Sequence, residues 1–321
     1  MDTYLKMISD YLDAIPFSRE PRNLYEPLEY TLANGGKRIR PLMTLLACEM
    51  FEGDVQEAMP AAAGLELFHN FTLLHDDIMD DAPLRRSKPT VHARWDANTA
   101  ILSGDVLFAL ACQYVSRVPD DKLRQVLDLF HQTVIEVCEG QQYDMDFESR
   151  EVVGEEEYLE MIRLKTAVLP AACLKTGAII AGAPEEDQEH IYRFGELIGL
   201  AFQLRDDWLD IYGDLEAFGK QTGGDIIANK KTWLFIKAVE MAGKQQKEKL
   251  INAFHHEKME NKQKIELVSG IYDDLNISGV AQEEMKKYDM QAHEIFGKIA
   301  VPQNRKKQLN KLTNILLYRN K

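Results

Sequence analysis

The chain has only four cysteines in 321 residues, Cys48, Cys112, Cys138 and Cys173, and no two form a C-x-x-C pair. That spacing excludes the usual zinc-ribbon and dithiol redox motifs, and the apolar neighbourhood of each cysteine predicts buried free thiols in a reducing compartment. No apolar run reaches the ~18 residues of a membrane-spanning helix. The opening Met1-Asp2-Thr3-Tyr4-Leu5-Lys6 has neither a basic start nor an apolar stretch, so no signal peptide is expected and a cytoplasmic location is. Positive charge is also short: 38 Lys and Arg stand against 52 Asp and Glu, a formal charge of −14. Such a balance argues against nucleic acid or an anionic lipid surface as a partner. An acidic chain that handles an anionic ligand must gather its cations locally.

Alternating strand-type runs are scarce too, whereas apolar residues recur at helical spacing almost throughout. Leu65, Phe68, Phe71/Thr72 and His75 follow one line, and Leu67, Leu74 and Ile78 another. Ile101 to Val115 is apolar on most sides and predicts a central helix. Breaks fall at Gly35-Gly36, Gly53-Asp54, around Pro83 and Pro89, at Pro119, at Gly154, near Gly182-Pro184 and from Gly213 to Gly224. Glu155-Glu156-Glu157 and Pro184-Glu185-Glu186-Asp187 suit helix starts, where acids favour the dipole. The pattern predicts about ten helices and no strand. No linker, low-complexity stretch or repeat divides the chain, so one all-α domain over residues 1–321 is expected.

Two aspartate clusters stand out: Asp76-Asp77-Ile78-Met79-Asp80, with Asp81 beyond it, and Asp206-Asp207-Trp208-Leu209-Asp210. Each reads D-D-x-x-D and follows an apolar helical stretch. Residues i and i+4 share a helix face, so Asp76 with Asp80, and Asp206 with Asp210, each make a carboxylate patch. A solvated acidic helix end is the bland account of one patch. Two such patches, each ending an apolar helix, suggest a clamp for hard divalent ions, and magnesium takes a few carboxylates together with substrate phosphates.

The cations are gathered as the charge requires. Gly35-Gly36-Lys37-Arg38-Ile39-Arg40 puts three in a turn before a helix, where glycines admit a phosphate and helix N–H groups face it. A helix C-cap with dipole-neutralising cations is the alternative there. Arg85-Arg86 follows the first acidic cluster, and arginine forks match phosphate oxygens. Lys220 and Lys230 follow the second. Glu66 and His69 form an E-x-x-H as in di-iron bundles, but no other histidine has a glutamate three residues earlier.

In these motifs the chain resembles the all-trans isoprenyl diphosphate synthases, the farnesyl and geranylgeranyl diphosphate synthase family, from Gly35 to about Thr232. The resemblance implies a single large all-α bundle around a deep apolar cavity, the isoprenoid synthase fold, and a homodimer. It implies condensation of an allylic diphosphate (dimethylallyl, geranyl or farnesyl) with isopentenyl diphosphate. Asp76, Asp77, Asp80, Asp206, Asp207 and Asp210 would hold magnesium, about three ions per site. Lys37, Arg40, His69 and Arg86 would bind isopentenyl diphosphate, and Arg85, Lys220 and Lys230 the allylic diphosphate. Lys165, Thr166 and Gln203 would lie beside the developing allylic cation. Gln141 and Asp144 match a G-Q-x-x-D helix at the substrate. Asp81 has no counterpart, and Arg319-Asn320-Lys321 is a weak form of the basic tail that closes the site in this family.

These residue types suit the chemistry. Metal, lysine and arginine stabilise a departing diphosphate, and a threonine hydroxyl and glutamine amide can face a cation without capturing it. A terpene cyclase would share the first motif, but its second metal motif would carry Asn or Asp, Ser or Thr, and Glu. A non-catalytic regulatory subunit of a heteromeric prenyl synthase would tend to lose one aspartate motif. Phe71 and Phe68, five and eight residues before Asp76, would lie ~7.5 and ~12 Å down the helix. The resemblance makes them, with small Thr72 beside them, the floor that sets product length. A product of farnesyl or geranylgeranyl size is expected.

Overall fold

The computed structural model describes residues 1–213, 223–255 and 259–318. The fold is all-α. The chain divides into two compact units: Met1–His131 with Ala172–Gln188 and Val301–Leu309, and Gln132–Ala171 with Glu189–Ala300 and Asn310–Lys321.

The first unit contains α1 (Asp2–Asp13), α2 (Arg22–Ala33), α3 (Ile39–Met50), α4 (Val55–Met79), the short α5 (Val91–Arg94) and α6 (Ala97–Val115). Its central element is α4. Asp54 caps its start by accepting from the Gln56 N–H at 2.8 Å, which satisfies one of the helix's orphan donors. Ala58, Ala61, Ala62, Ala63, Leu65, Leu67, Phe68 and Leu74 are all buried along it. The small residues of its first half let other helices come close. A Cβ on Gly64 would fall 2.8 Å from the Val115 nitrogen and 2.9 Å from the Ala111 carbonyl oxygen, so only glycine permits this approach to α6. Ile101 to Val115 does not form the central helix that its composition predicts. Ala100, Ser103, Leu107, Ala111 and Tyr114 form one buried stripe of α6, while Ile101 and Leu102 are 42 % and 57 % exposed.

Helix boundaries fall at the breaks expected between Gly35 and Gly224, but the described residues form sixteen α-helices where about ten were expected, because the boundaries near Asp13, at Arg94 and after Met241 lie outside those breaks. One further feature was not expected. Leu84–Arg85 (β1) pairs antiparallel with Lys88–Pro89 (β2), Leu84 opposite Pro89 and Arg85 opposite Lys88. The turn residues Arg86 and Ser87 have φ of 54° and 62°, which is the geometry of a tight hairpin. Glycine or asparagine normally marks such a turn, and their absence hid it.

The second unit takes the later part of α7 (Asp120–Ser149), then α8 (Glu155–Ile162), a π-helical turn (Arg163–Ala167), the start of α9 (Val168–Ile180) and most of α10 (Glu185–Tyr212). The helices Gly224–Ile227, Trp233–Met241, Lys244–His255, Asn261–Asp274 and Ile277–Lys298 follow. Glutamates 155–157 open α8, and Glu157 accepts from the Gly154 N–H at 3.0 Å. One apolar cluster gathers Phe147, Tyr158, Met161, Leu200, Leu204 and Trp233. A second joins the helices after Thr232 through Leu234, Phe235, Leu250, Phe254, Val268 and Tyr272. Each such side chain contributes about 1.5–3 kcal/mol by leaving water, which anchors the end of α10 from behind.

Cys48 and Cys173 are buried thiols as expected, but Cys138 is exposed and Cys112 half-buried. Cys138 lies on the outer face of α7 with Ile135 and Glu139, so local apolarity misjudged it. No helix of the described residues is long and apolar enough to cross a membrane.

Candidate active site

In the first unit, the cations at the start of α3 and in the hairpin turn converge on α4. Arg38, the N-cap of α3, has a left-handed backbone with φ 48°. Its guanidinium pairs with buried Glu66 at 2.7 Å and donates to the Leu32 carbonyl at 2.7 Å. Arg40 Nη1 donates to His69 Nε2 at 2.9 Å. Arginine has no acceptor, so this bond assigns a lone pair to Nε2 and leaves the His69 proton on Nδ1. Burial, followed by the charges of Arg40, Arg86, Arg85 and Arg38, pushes the His69 pKa well below the ordinary histidine value, and the ring is neutral. Arg86 reaches the Gly35 carbonyl from its left-handed turn position. Lys37 is exposed on the same loop. Arg40 Nε is buried and has no hydrogen-bond partner among the described residues. Arg40 and Arg86 are thus brought to one neutral ring, with a spare buried donor, while Lys37 stands exposed on the adjoining loop.

The first aspartate motif ends α4. Asp77 is buried and accepts from Arg85 Nε at 2.6 Å. Burial raises its pKa, and the Arg85 charge partly offsets that. Asp80 is exposed and Asp76 half-buried. Asp81 is exposed, with φ 47° and His92 Nε2 at 3.7 Å.

The second motif ends α10 in the second unit. Asp207 is buried, and Tyr158 Oη donates to Oδ2 at 2.6 Å, Gln203 Nε2 to Oδ1 at 3.1 Å, and the Trp233 N–H to Oδ2 at 3.4 Å. Burial dominates despite these donors and pushes its pKa up to about 7. Asp206 is exposed. Asp210 accepts from the Asp225 N–H at 3.0 Å. Lys230 Nζ lies 3.7 Å from the Asp225 carboxylate, whose pKa is raised by burial and then by Asp210. Lys220 lies outside the described residues, as does the tail Arg319-Asn320-Lys321.

Lys165 and Thr166 sit in the π-helical turn, a distortion common at functional sites. A Cβ on Gly140 would fall 2.2 Å from the Lys165 nitrogen, so the glycine of Gly140-Gln141-Gln142-Tyr143-Asp144 lets α7 lie against that turn. Asp144 then pairs with Lys165 at 2.5 Å, and Gln141 is half-buried. Thr166 Oγ1 donates to Gln203 Oε1 at 3.2 Å.

Back on α4, Phe68 is fully buried and Phe71 half-buried, with ring centroids 5.8 Å apart. Phe108 lies 5.3 Å from Phe71, and Phe130 lies 5.6 Å from Phe68. Thr72 turns its hydroxyl to the His69 carbonyl at 2.9 Å. The sequence reading missed Phe108 and Phe130, which come from α6 and α7, and Tyr158 and Asp225. The Gly-Gly-Asp ending at Asp225 was the one available signal; the others carry no motif of their own.

Among the described residues, no group of three or more His, Cys, Asp or Glu is set to hold a metal by itself. The outer carboxylates nevertheless fit magnesium. Asp76 and Asp80, and Asp206 and Asp210, stand one turn apart where α4 and α10 end, at the helix end whose dipole disfavours anions. One or two carboxylates completed by substrate phosphate is the habit of that ion.

Comparison with known proteins agrees with this arrangement. Residues 21–271 match the polyprenyl synthetase family. The geranylgeranyl diphosphate synthase of Methanosarcina mazei is 43 % identical over 243 residues, covering 74 % of this chain and 75 % of that protein. The short chain isoprenyl diphosphate synthase of Methanothermobacter thermautotrophicus is 44 % identical over 233 residues, 72 % of each chain. A crystal structure of a geranylgeranyl pyrophosphate synthase superposes with a TM-score of 0.92 at 43 % identity, covering 99 % of this chain and 97 % of the other. With most of its length matched and its fold shared, the chain belongs to the polyprenyl synthetase family and is a prenyltransferase.

Proposed function

We propose that the chain is a short-chain all-trans isoprenyl diphosphate synthase that joins an allylic diphosphate head to tail to isopentenyl diphosphate. The observation that carries this reading is the first-unit cation cluster: Arg40 keeps a buried, unpartnered Nε beside neutral His69. A buried donor without a partner costs about 1–3 kcal/mol, and a diphosphate oxygen would relieve that cost. Lys37 and Arg86 add charge to the same anion. His69, being neutral, orients Arg40 without competing for it.

Magnesium, held by Asp76, Asp80, Asp206 and Asp210, would neutralise the allylic diphosphate as it leaves. Arg85, fixed by Asp77, and Lys230, beside Asp225, add fixed positive charge to that leaving group. The allylic C–O bond breaks, and both its electrons leave with the diphosphate. The Thr166 hydroxyl and Gln203 amide line the cation without bonding to it. The isopentenyl double bond then attacks, forming the new C–C bond, and a proton leaves to the released diphosphate. The product carries five more carbons and a new double bond.

Phe68, Phe71 and Phe108 support a floor that stops growth at farnesyl or geranylgeranyl length. Phe71→Ala should release longer products, and Phe68→Ala should lengthen them again. Unchanged lengths on chromatography would place the floor elsewhere. The exposed Ile101 and Leu102 on α6 support a homodimer through that face, and sedimentation of the Ile101→Lys/Leu102→Lys chain as a dimer would discard that part.

The main test is mass spectrometry of products from labelled isopentenyl diphosphate with each primer and magnesium, using the purified chain alone. Linear prenyl diphosphates are expected. Cyclised hydrocarbon formed without isopentenyl diphosphate, or no turnover without a second protein, would overturn the reading.

A further inference from the structure

The contacts of Asp207 differ from those of the outer aspartates in its motif. Its Oδ2 is taken by the Tyr158 hydroxyl at 2.6 Å and the Trp233 N–H at 3.4 Å. That leaves Oδ1 turned toward Gln203, whose Nε2 donates to it at 3.1 Å. A glutamine amide has one donating and one accepting end, so fixing Nε2 on Asp207 fixes where Oε1 points. Oε1 lies 3.2 Å from the Thr166 hydroxyl. All of these residues belong to the second unit.

We propose that Tyr158 is a positioning residue: by holding Asp207, it sets the Gln203 amide so that its oxygen, and the Thr166 hydroxyl bonded to it, face the reacting carbon. This inference rests on the prenyl-transfer reading above. An amide oxygen and a hydroxyl lone pair stabilise positive charge, whereas an NH₂ group in the same place would oppose it. The polarity of that wall therefore depends on which way Gln203 is turned. Without the Tyr158 hydroxyl, Asp207 Oδ2 keeps only the longer Trp233 N–H bond, so the carboxylate and the Gln203 amide bonded to its Oδ1 are held less firmly in place. Tyr158 is buried in the cluster with Met161, Ile162, Leu204 and Trp233, and it lies just ahead of the π-helical turn carrying Thr166. It thus acts on the cation wall from behind without touching substrate.

The test is Tyr158→Phe in the full-length chain, which removes one oxygen and keeps the ring. The expected result is a kcat lower by roughly ten- to a hundredfold, as for loss of one charge-assisted bond. The KM for isopentenyl diphosphate should stay within about twofold. A merely structural tyrosine would lower the melting temperature without that split. Because Tyr158 acts through Gln203, its substitution should cost almost nothing in a Gln203→Ala background. A kcat within about twofold of wild type, or losses that multiply in the double variant, would overturn the inference while leaving the reaction intact. Should Tyr158→Phe not fold, by circular dichroism, Asp207→Asn takes its place, because it sets an amide against the Gln203 amide. The same loss and the same cancellation with Gln203→Ala are then required, and independent losses overturn the proposal. A wild-type chain that forms no condensed product overturns the prenyl-transfer reading and the inference together.

Discussion

The two D-D-x-x-D motifs are spelled alike, and each buries its middle aspartate while its first and last are half-buried or exposed. They differ in what holds that middle carboxylate. Asp77 has a cation, Arg85, at 2.6 Å. Asp207 has only neutral donors, and Asp225 adds further negative charge nearby. A guanidinium answers the cost of burying a carboxylate with charge, whereas a phenol and an amide answer it with hydrogen bonds alone. The first motif is therefore tied to the arginines of the hairpin turn, and the second to the polar wall beside α8 and the π-helical turn. The same pattern thus stands against a guanidinium in one unit and against neutral donors alone in the other.

The largest expected effect addresses what the motifs share. Asp76→Ala and Asp206→Ala should each lower turnover by roughly 100-fold or more, since each removes charge stabilisation from the leaving group. Chelator should abolish wild-type activity and magnesium restore it. Near-native turnover by either variant in a steady-state assay would remove that motif from the shared work.

Next comes a test of which substrate the first unit serves beyond its motif. Lys37→Ala should raise the KM for isopentenyl diphosphate by about ten- to a hundredfold and leave that of the allylic diphosphate little changed. Equal shifts for both substrates would erase the division between the sites.

The contrast in how the middle carboxylates are held gives a smaller effect. Arg85→Ala should destabilise the protein by about 1–2 kcal/mol in urea, because Asp77 stays buried without its cation while Arg85 itself is partly exposed. Asp207→Asn removes a buried charge that has no cation but sets an NH₂ among the donors around it, so the two effects oppose and the net loss should be smaller than that of Arg85→Ala. If both variants lose the same stability, the two carboxylates are held alike after all.

The smallest effect concerns pH. His69 has its pKa lowered in the folded chain, so near and below pH ~6.5 the unfolded chain binds the extra proton. The His69 contribution should be full above that range and decline as pH falls through it, by at most ~1.4 kcal/mol per pH unit, while Asp207, with its pKa raised to about 7, contributes the opposite slope below that pH. His69→Gln should therefore make stability rise less, or fall more, as pH increases from ~5 to ~7 in urea titrations. An unaltered slope would mean that His69 is not the group responsible.

Much of this was legible in the sequence. Helical periodicity, glycine and proline breaks and acidic helix starts act within a few residues, and they placed the ends of α2, α3, α8 and α10. The aspartate motifs and the Lys37 to Arg40 turn were equally plain, because i, i+4 spacing on a helix leaves little choice of face. Ile101 to Val115 shows the limit. Its apolar character suits burial from several sides, yet α6 buries a single stripe, and only the packing partners decide how many sides are covered. The Arg86-Ser87 turn was hidden because its positive φ is held by tertiary contacts and not by glycine.

The sequence by itself determined the all-α class, the helix ends marked by glycine, proline or acidic residues, and the two carboxylate pairs, since each depends on spacing along one helix. The tertiary structure alone decided which aspartate of each motif is buried and what partner it meets. It also brought Arg40 against His69, Asp144 against Lys165, and Tyr158 against Asp207, pairs 29, 21 and 49 residues apart. Such partners come from different elements, and the meeting of Asp144 with Lys165 depends on the close approach that Gly140 allows, which no local pattern encodes.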